Sequence, residues 1–185
     1  LKAGTQHDSF GFLASRIIYD DGALCEINMP RAGIFRKRYF PDQQSYRCDL
    51  ACFTSVLFPR SAVAELGLPI RNFFIWSDDW EYTRRISCRY SCIDSAAVYK
   101  TPSRQNTRIV NDNGERIDRY RYIYRNDVYI YRREGFPGIM YVIPRNIAYM
   151  ARCFLFSSHN RLKKCGIILR STLQGFGFKP RVERV

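Results

Sequence analysis

The chain has 185 residues, and its 30 Lys and Arg outnumber its 17 Asp and Glu, which leaves a formal net charge of +13. Because 46% of the residues are hydrophobic and 15% are aromatic, the chain can bury a core, which excludes a disordered polyelectrolyte. The length suits one domain, or one domain with a helical appendage. Only two histidines are present, which argues against a His-rich metal site.

The positive charge predicts an anionic partner: nucleic acid, anionic lipid head groups or phosphorylated small molecules. Basic residues are densest at 31–38, 116–133 and 161–170, and no long run of like charge indicates a disordered arm. The most apolar stretch, 139–156, contains Pro144, Arg145 and Arg152, so it is not predicted to span a membrane.

Seven cysteines make an odd number, which argues against a fully paired disulfide framework. Cys48 with Cys52 and Cys88 with Cys92 are C-x3-C pairs that could in principle hold zinc. Burial as small apolar side chains explains Cys48 and Cys52 better, so no metal site is predicted in this chain. Free cysteines indicate a reducing, cytoplasmic compartment.

The first hundred residues alternate strand-like and helical patterns. Branched and aromatic residues predict strands at 12–19, 23–29, 47–58 and 92–99, with a turn at 20–22. Residues 30–39 fit a short helix or a loop. Pro59 and Gly67 bound a short helix, and Ser77 can serve as N-cap for a second helix over 78–89.

The rest of the chain is predicted to be a long loop, 101–115, followed by helices. Helical spacing from Ile117 onward includes Tyr120, Tyr124 and Tyr131, and Pro137 and Gly138 break that helix. Two further helices are predicted at 139–156, kinked or split at Pro144, and at 162–173, ended by the glycines at 175 and 177. The predicted division is 1–116 and 117–185.

The most informative segment places Asp78, Asp79 and Glu81 directly after four large apolar residues, 73–76. One explanation is structural, because each acidic residue in a first helical turn gains about 0.3–1 kcal/mol from the helix dipole. The other is chemical. A carboxylate can act as general base toward an attacking hydroxyl, while Trp76 and Trp80 offer faces on which a sugar ring stacks.

The order of motifs resembles the acceptor-side half of family 2 glycosyltransferases, closest to galactofuranosyl- and rhamnosyltransferase-like members. The resemblance rests on the segments 67–69, 73–82 and 84–86, supported by 58–60, 96–99, 124–126 and 175–177. It implies an α/β chain with a partial GT-A, Rossmann-like mixed sheet and a C-terminal helical extension. It also implies an inverting transferase for glycan or lipid-linked acceptors, of the kind that builds cell-envelope polysaccharides.

The resemblance implies residue roles as well. Asp79 corresponds to the general base and Asp78 to an assisting group, while Trp76, Trp80 and Glu81 would bind the acceptor sugar. Members of this branch commonly carry a metal-binding His where this chain has Lys100, which could instead meet diphosphate oxygens. Mg²⁺ or Mn²⁺ is expected in the intact enzyme, with ligands mostly outside this chain.

No Asp-x-Asp sugar-nucleotide motif occurs in the 185 residues. The nucleotide-sugar donor site is therefore expected upstream of Leu1, and this part alone is expected to lack turnover. Without the strands of the donor-binding half, the sheet should have an exposed hydrophobic edge that another segment or chain must cover. The expected location is cytoplasmic, either free or peripheral on the inner face of the cell membrane.

The competing hypothesis is a non-catalytic basic module that binds nucleic acid or an anionic membrane surface. Alternating Tyr and Arg at 120–125 could stack on single-stranded nucleic acid, but helical spacing favours a packed face, and no nucleic-acid motif is present. The basic helices over 139–173 fit either a head-group layer or a solvated basic face, and the sequence does not decide between these.

Overall fold

The computed structural model describes residues 10–35, 38–102, 108–112 and 114–184. The chain forms two compact units. The first contains Leu1–Ile70, Asp79–Arg104 and Val182–Val185, and the second contains Arg71–Asp78 and Gln105–Arg181. The second unit therefore includes a short aromatic segment, Arg71–Asp78, that is distant in sequence from the rest of that unit.

The first unit is a mixed α/β structure around a three-stranded sheet. Its strands are β1 (Phe10–Tyr19), β2 (Val56–Leu57) and β3 (Ser91–Thr101), in the order β2-β1-β3. β1 runs antiparallel to β2 and parallel to β3. Two helices complete the unit, α1 (Arg60–Leu66) and α2 (Asp78–Ser87), of which the first residue of α2 belongs to the other unit.

The core of the first unit lies between β1 and α2. Phe12 and Ala14 of β1 pack with Tyr82 and Ile86 of α2, and all four are almost fully buried. A Cβ at Gly11 would lie 2.5 Å from Cγ2 of Ile86, so glycine permits this close approach of strand and helix. The register of β1 against β3 shifts between Ala14 and Arg16, so the period of two expected of a strand is interrupted and the next buried residue is Ile17.

Several predicted elements of this unit are confirmed. The strands at 12–19 and 92–99 are β1 and β3, α1 ends before Gly67 (φ +79°), and α2 begins at Asp78 as predicted. The turn at 20–22 also forms, with the Ala23 N–H donating to Oδ1 of Asp21 at 3.1 Å.

Two predicted strands are wrong. In 23–29, only Leu24 forms a bridge, with Ile18, and the chain then turns at 26–28. In 47–58, Arg47 and Leu50 form isolated bridges with separate partners, so the ladder stays short and only β2 is a strand. The described part of 30–39 is a loop, and residues 36–37 lie outside the described residues.

The second unit contains three long helices: α3 (Tyr120–Arg132), α4 (Phe136–Phe156) and α5 (Arg161–Gly177). A 3-10 turn, Glu115–Arg119, precedes α3. The core contains Tyr120 and Tyr124 of α3 with Cys153 and Ile168 of the following helices. Tyr131 is buried too, so the helical spacing of the tyrosines is confirmed as a packed face.

Three details of the helical prediction need correction. α4 is continuous through Pro144, so it is not split there, and Pro137 lies in its first turn rather than breaking it. The break falls at Gly135, whose φ is +73°. Gly175 does not end α5; it lies inside the helix, where a Cβ would be 2.5 Å from Cβ of Val128.

The loop prediction for 101–115 is only partly covered, because 103–107 and 113 lie outside the described residues. Within the rest, 109–111 form a turn and the side chain of Ile109 is buried. None of the helices in the described ranges combines the length and apolar character needed to cross a membrane.

Candidate functional site

The aromatic segment before α2 has an unusual backbone. After a 3-10 turn, Arg71–Phe73, the chain passes through Phe74, Trp76 and Ser77 with φ angles of +64°, +62° and +63°. In this left-handed region an L side chain crowds the following carbonyl, at a cost of about 1–2 kcal/mol per residue. Three such residues within four positions require the surrounding structure to hold them.

A polar clamp on α3 supplies that support; we use this name for Arg125, Asn126 and Asp127. The amide of Asn126 is fully buried, and its Nδ2 donates to the carbonyl oxygens of Phe73 at 3.1 Å and Trp76 at 3.0 Å. A longer contact of 3.4 Å reaches the carbonyl of Ile75. One side chain therefore fixes three peptide groups of the left-handed segment.

The other two members of the polar clamp bind the ends of the segment. Arg125 Nη2 donates to the carbonyl oxygen of Asn72 at 2.6 Å, and the Ser77 hydroxyl donates to Oδ1 of Asp127 at 2.6 Å. Asp127 also pairs with Arg145 of α4 at 2.6 Å. The segment is thus tied to the helices of its own unit by buried or half-buried polar groups.

Ser77 immediately precedes α2, as predicted for an N-cap. Its local geometry differs from the usual one, in which the cap residue is extended and its oxygen accepts a helix N–H. Here Ser77 is left-handed, and its hydroxyl donates to Asp127. The residue fixes the entry of the chain into the helix through the polar clamp.

Trp76 and Phe74 have different surroundings within this segment. The Trp76 ring is half-buried and packs against Tyr120, with ring centroids 5.2 Å apart and planes tilted by 40°. Phe74 is 73% exposed, and its ring lies 5.0 Å from that of Tyr122. The Arg121 guanidinium sits 4.8 Å from the centre of the Tyr122 ring.

The exposed Phe74 and the half-buried Tyr122 are therefore aromatic neighbours that the sequence interpretation did not assign to the site. The signal was present, because Phe74 belongs to the aromatic run and Tyr122 to the alternation of Tyr and Arg. Which rings of the two runs meet depends on the left-handed backbone and on the contacts of α3.

Asp79 lies in the first unit, where it faces the segment that contains Cys52. Burial, and after it the charge of the Asp79 carboxylate, raise the pKa of the Cys52 thiol to about 11. Oδ1 of Asp79 also accepts from the Trp80 N–H at 2.8 Å. A thiol with this pKa stays protonated at neutral pH and can donate a hydrogen bond to the carboxylate.

Thr83 fixes the backbone around Asp79. Its hydroxyl donates to the carbonyl oxygen of Asp79 at 2.7 Å and accepts from the Ala51 N–H at 3.2 Å. Thr83 itself is fully buried. The first turn of α2 is thereby attached to the chain around Ala51 and Cys52, which sets where the Asp79 carboxylate lies.

The remaining predicted acceptor residues have protein partners in the first unit. The Arg31 guanidinium lies 4.3 Å from the centre of the Trp80 ring. Glu81 is 4% exposed and pairs with Arg85 through both oxygens, at 3.1 and 2.9 Å. Arg85 donates in turn to the carbonyl oxygen of Leu66 at 2.6 Å. Glu81 therefore has a structural role, and we leave it out of the proposed site.

Lys100 is exposed near the end of β3, where it pairs in parallel register with Ile18. Asp78 is half-buried as the first residue of α2. All seven cysteines are free thiols. Within the described ranges, no group of three or more His, Cys, Asp or Glu side chains is arranged to hold a metal ion. The phosphate-binding role of Lys100 stays a prediction.

Comparisons of the chain with protein-family models, with curated proteins and with solved structures found no match.

Proposed function

We propose that this chain is the acceptor-side part of an inverting, family 2-like glycosyltransferase, and that its sheet is part of a GT-A fold. The transfer moves a sugar from a nucleotide-sugar to a glycan or lipid-linked acceptor. Asp79 is the general base, and Asp78 assists in binding the acceptor. Trp76, Trp80 and the exposed Phe74 offer aromatic surface to sugar rings. The proposed location is the cytoplasmic face of the cell membrane.

The observation that carries the proposal is the left-handed aromatic segment, which leads directly into Asp78 and Asp79. Strained backbone of this kind clusters at active sites and ligand clamps, where the surrounding structure over-determines it. Here the polar clamp uses a fully buried Asn126 to hold Phe73 and Trp76. A helix start whose acids only met the helix dipole would need neither the strain nor the clamp.

The proposed chemistry is a single displacement. An oxygen of the Asp79 carboxylate takes the proton of the acceptor hydroxyl as that hydroxyl oxygen forms a bond to the anomeric carbon. The bond from the anomeric carbon to the nucleoside diphosphate breaks, and the diphosphate leaves with the electron pair. Lys100 would offset its growing negative charge. No described residue is assigned here as a metal ligand.

The test uses the natural protein with whatever residues precede Leu1, assayed for transfer from a panel of nucleotide-sugars. Asp79→Asn should lower kcat by about 10²–10⁴-fold, the usual contribution of a general base. Donor affinity should stay nearly unchanged, because the base acts in the transition state. Asp118→Asn is the matched control, since Asp118 is 61% exposed and pairs with Lys163.

Turnover of the Asp79→Asn protein at the rate of the Asp118→Asn protein would remove Asp79 as the base. Absence of transfer from every nucleotide-sugar in the panel, together with absence of an Asp-x-Asp upstream, would remove the glycosyltransferase proposal itself.

A further inference from the structure

Helices α4 and α5 each expose a line of large apolar side chains. On α4 these are Phe136, Met140, Ile147 and Phe154, with exposures of 74%, 56%, 59% and 55%. On α5 they are Leu162, Leu169, Leu173 and Phe176, with exposures of 78%, 48%, 63% and 38%. Spacings of three, four and seven residues keep each set on one side of its helix. We call these eight residues the outer stripe.

The position of the outer stripe on α4 follows from the contacts of that helix. The rings of Tyr141 and Tyr149 meet tyrosines of α3. Asn146 donates to Thr172 of α5, and the carbonyl of Met150 accepts from a thiol of α5. At 3.6 residues per turn, the stripe residues of α4 lie about a fifth of a turn around the helix axis from Asn146 and Met150, in the direction away from α3.

The contacts of α5 give the position of the stripe residues on that helix in the same way. Cys165 and Thr172 make the contacts with α4, and Gly175 faces Val128 of α3. The apolar residues lie about a fifth of a turn beyond the α4 contacts and away from Gly175. Both halves of the outer stripe therefore belong to one surface, formed by neighbouring helices on the side opposite α3.

The segment that carries the outer stripe has charged side chains of a single sign. Residues 135–182 contain eight Lys and Arg and no Asp or Glu. Two of the eight face inward, since Arg145 pairs with Asp127 and Lys164 is fully buried. The other six are exposed: Arg152, Arg161, Lys163, Arg170, Lys179 and Arg181. Lys163 pairs with the exposed Asp118 at 3.1 Å, and the border keeps a positive excess. An apolar surface with a net positive border complements a surface that is apolar inside and anionic outside.

We propose that the outer stripe binds the interfacial layer of a bilayer that contains anionic lipids. The apolar side chains enter the boundary between head groups and acyl chains, while the exposed Lys and Arg meet lipid phosphates. A second copy of the chain fits this surface less well, because pairing two such surfaces brings together two sets of exposed cations. The proposal rests on α4 and α5 alone and does not depend on the glycosyltransferase proposal.

The test is co-sedimentation of the chain with vesicles of phosphatidylcholine and phosphatidylglycerol, and with vesicles of phosphatidylcholine alone. Binding should require the anionic lipid and weaken as salt is added. The double variant Leu162→Gln with Leu173→Gln should bind at least tenfold more weakly. Leu57→Gln is the matched control, because this leucine is 59% exposed but lies on β2, and its binding should stay unchanged.

A second pair of substitutions tests the charge. Lys163→Gln with Arg170→Gln should weaken binding to the anionic vesicles and reduce its dependence on salt. Circular dichroism of each variant should match the parent, since all four substituted residues of α5 are exposed.

Four results would overturn the proposal. The first two are absence of binding to anionic vesicles and equal binding by the Leu162/Leu173 variant and the Leu57 control. The third is a dimer in solution that this variant dissociates, in the absence of vesicle binding, because a second copy would then cover the surface. The fourth is a charge-dependent complex with single-stranded nucleic acid that forms in place of vesicle binding. None of these measurements depends on sugar transfer.

Discussion

Replacing Asn126 by Ala should destabilise the second unit more than any exposed substitution there. The Asn126 amide is fully buried, and its Nδ2 donates to the carbonyl oxygens of Phe73 and Trp76, while its Oδ1 accepts from Arg125 at 2.9 Å. Alanine removes these hydrogen bonds and leaves their carbonyl partners without a side-chain donor. Each such loss costs about 1–3 kcal/mol, and the losses share one site, so we expect a total of about 2–4 kcal/mol.

The left-handed backbone adds to this effect, because Trp76 and Ser77 keep their positive φ angles only while the polar clamp holds them. Asn126→Asp provides a second variant of the same size. It keeps an acceptor for Arg125 but turns a carboxylate oxygen toward the carbonyl oxygens of Phe73 and Trp76. It should therefore destabilise at least as strongly as Asn126→Ala.

The measurement is equilibrium urea unfolding followed by far-UV circular dichroism, which gives the free energy of unfolding. Asn111→Ala is the control, because Asn111 is exposed in the same unit, and it should stay within about 0.5 kcal/mol of the parent. A loss for Asn126→Ala no greater than that of the control would show that the polar clamp does not hold the segment.

Two other predictions use glycines and a thiol. Gly175→Ala should lower the free energy of unfolding by about 1–3 kcal/mol, because the new Cβ would lie 2.5 Å from Cβ of Val128. On the same helix, a Cβ at Gly166 would meet nothing within 4 Å, so Gly166→Ala should raise the free energy of unfolding by up to about 1 kcal/mol. Equal effects in urea unfolding would contradict this packing. Cys52, with a thiol pKa of about 11, should react with iodoacetamide only as the pH approaches that value, and Asp79→Asn should move the reaction to lower pH by removing the carboxylate that raises the pKa. Because the folded pKa lies above the unfolded one, this thiol adds stability below about pH 9 that is lost as the pH rises toward 11. Peptide mapping by mass spectrometry resolves Cys52 from the other cysteines. An unchanged dependence of Cys52 labelling on pH in Asp79→Asn would show that the Asp79 carboxylate does not raise the pKa of this thiol.

Elements with strong local signals were predictable from the sequence. The start of α2 follows from the acidic first turn, and the buried face of α3 follows from tyrosines at helical spacing. The strand over 47–58 was wrong because its apolar residues pack into the core from an irregular chain, and Arg47 and Leu50 each pair with a different segment. A single sequence carries no record of which distant strand lies beside such a run.

The candidate site was predictable only in part. Asp78 and Asp79 could be placed at a helix start, but the polar clamp joins residues about 50 positions apart, as with Asn126 and Trp76. Glu81 looked equivalent to the two aspartates in sequence. Its helical offset of four residues from Arg85 instead places it in a buried ion pair.

Pro144 sets a condition on how α4 can meet its surroundings. Proline has no N–H, so the carbonyl oxygen of Met140, one turn earlier, lacks the helical donor that would normally face it. Met140 is 56% exposed, on the surface proposed to meet lipid. A carbonyl oxygen without a helical donor is most stable where water can hydrogen-bond to it. The middle of α4 should therefore lie at the hydrated level of the lipid head groups rather than among the acyl chains.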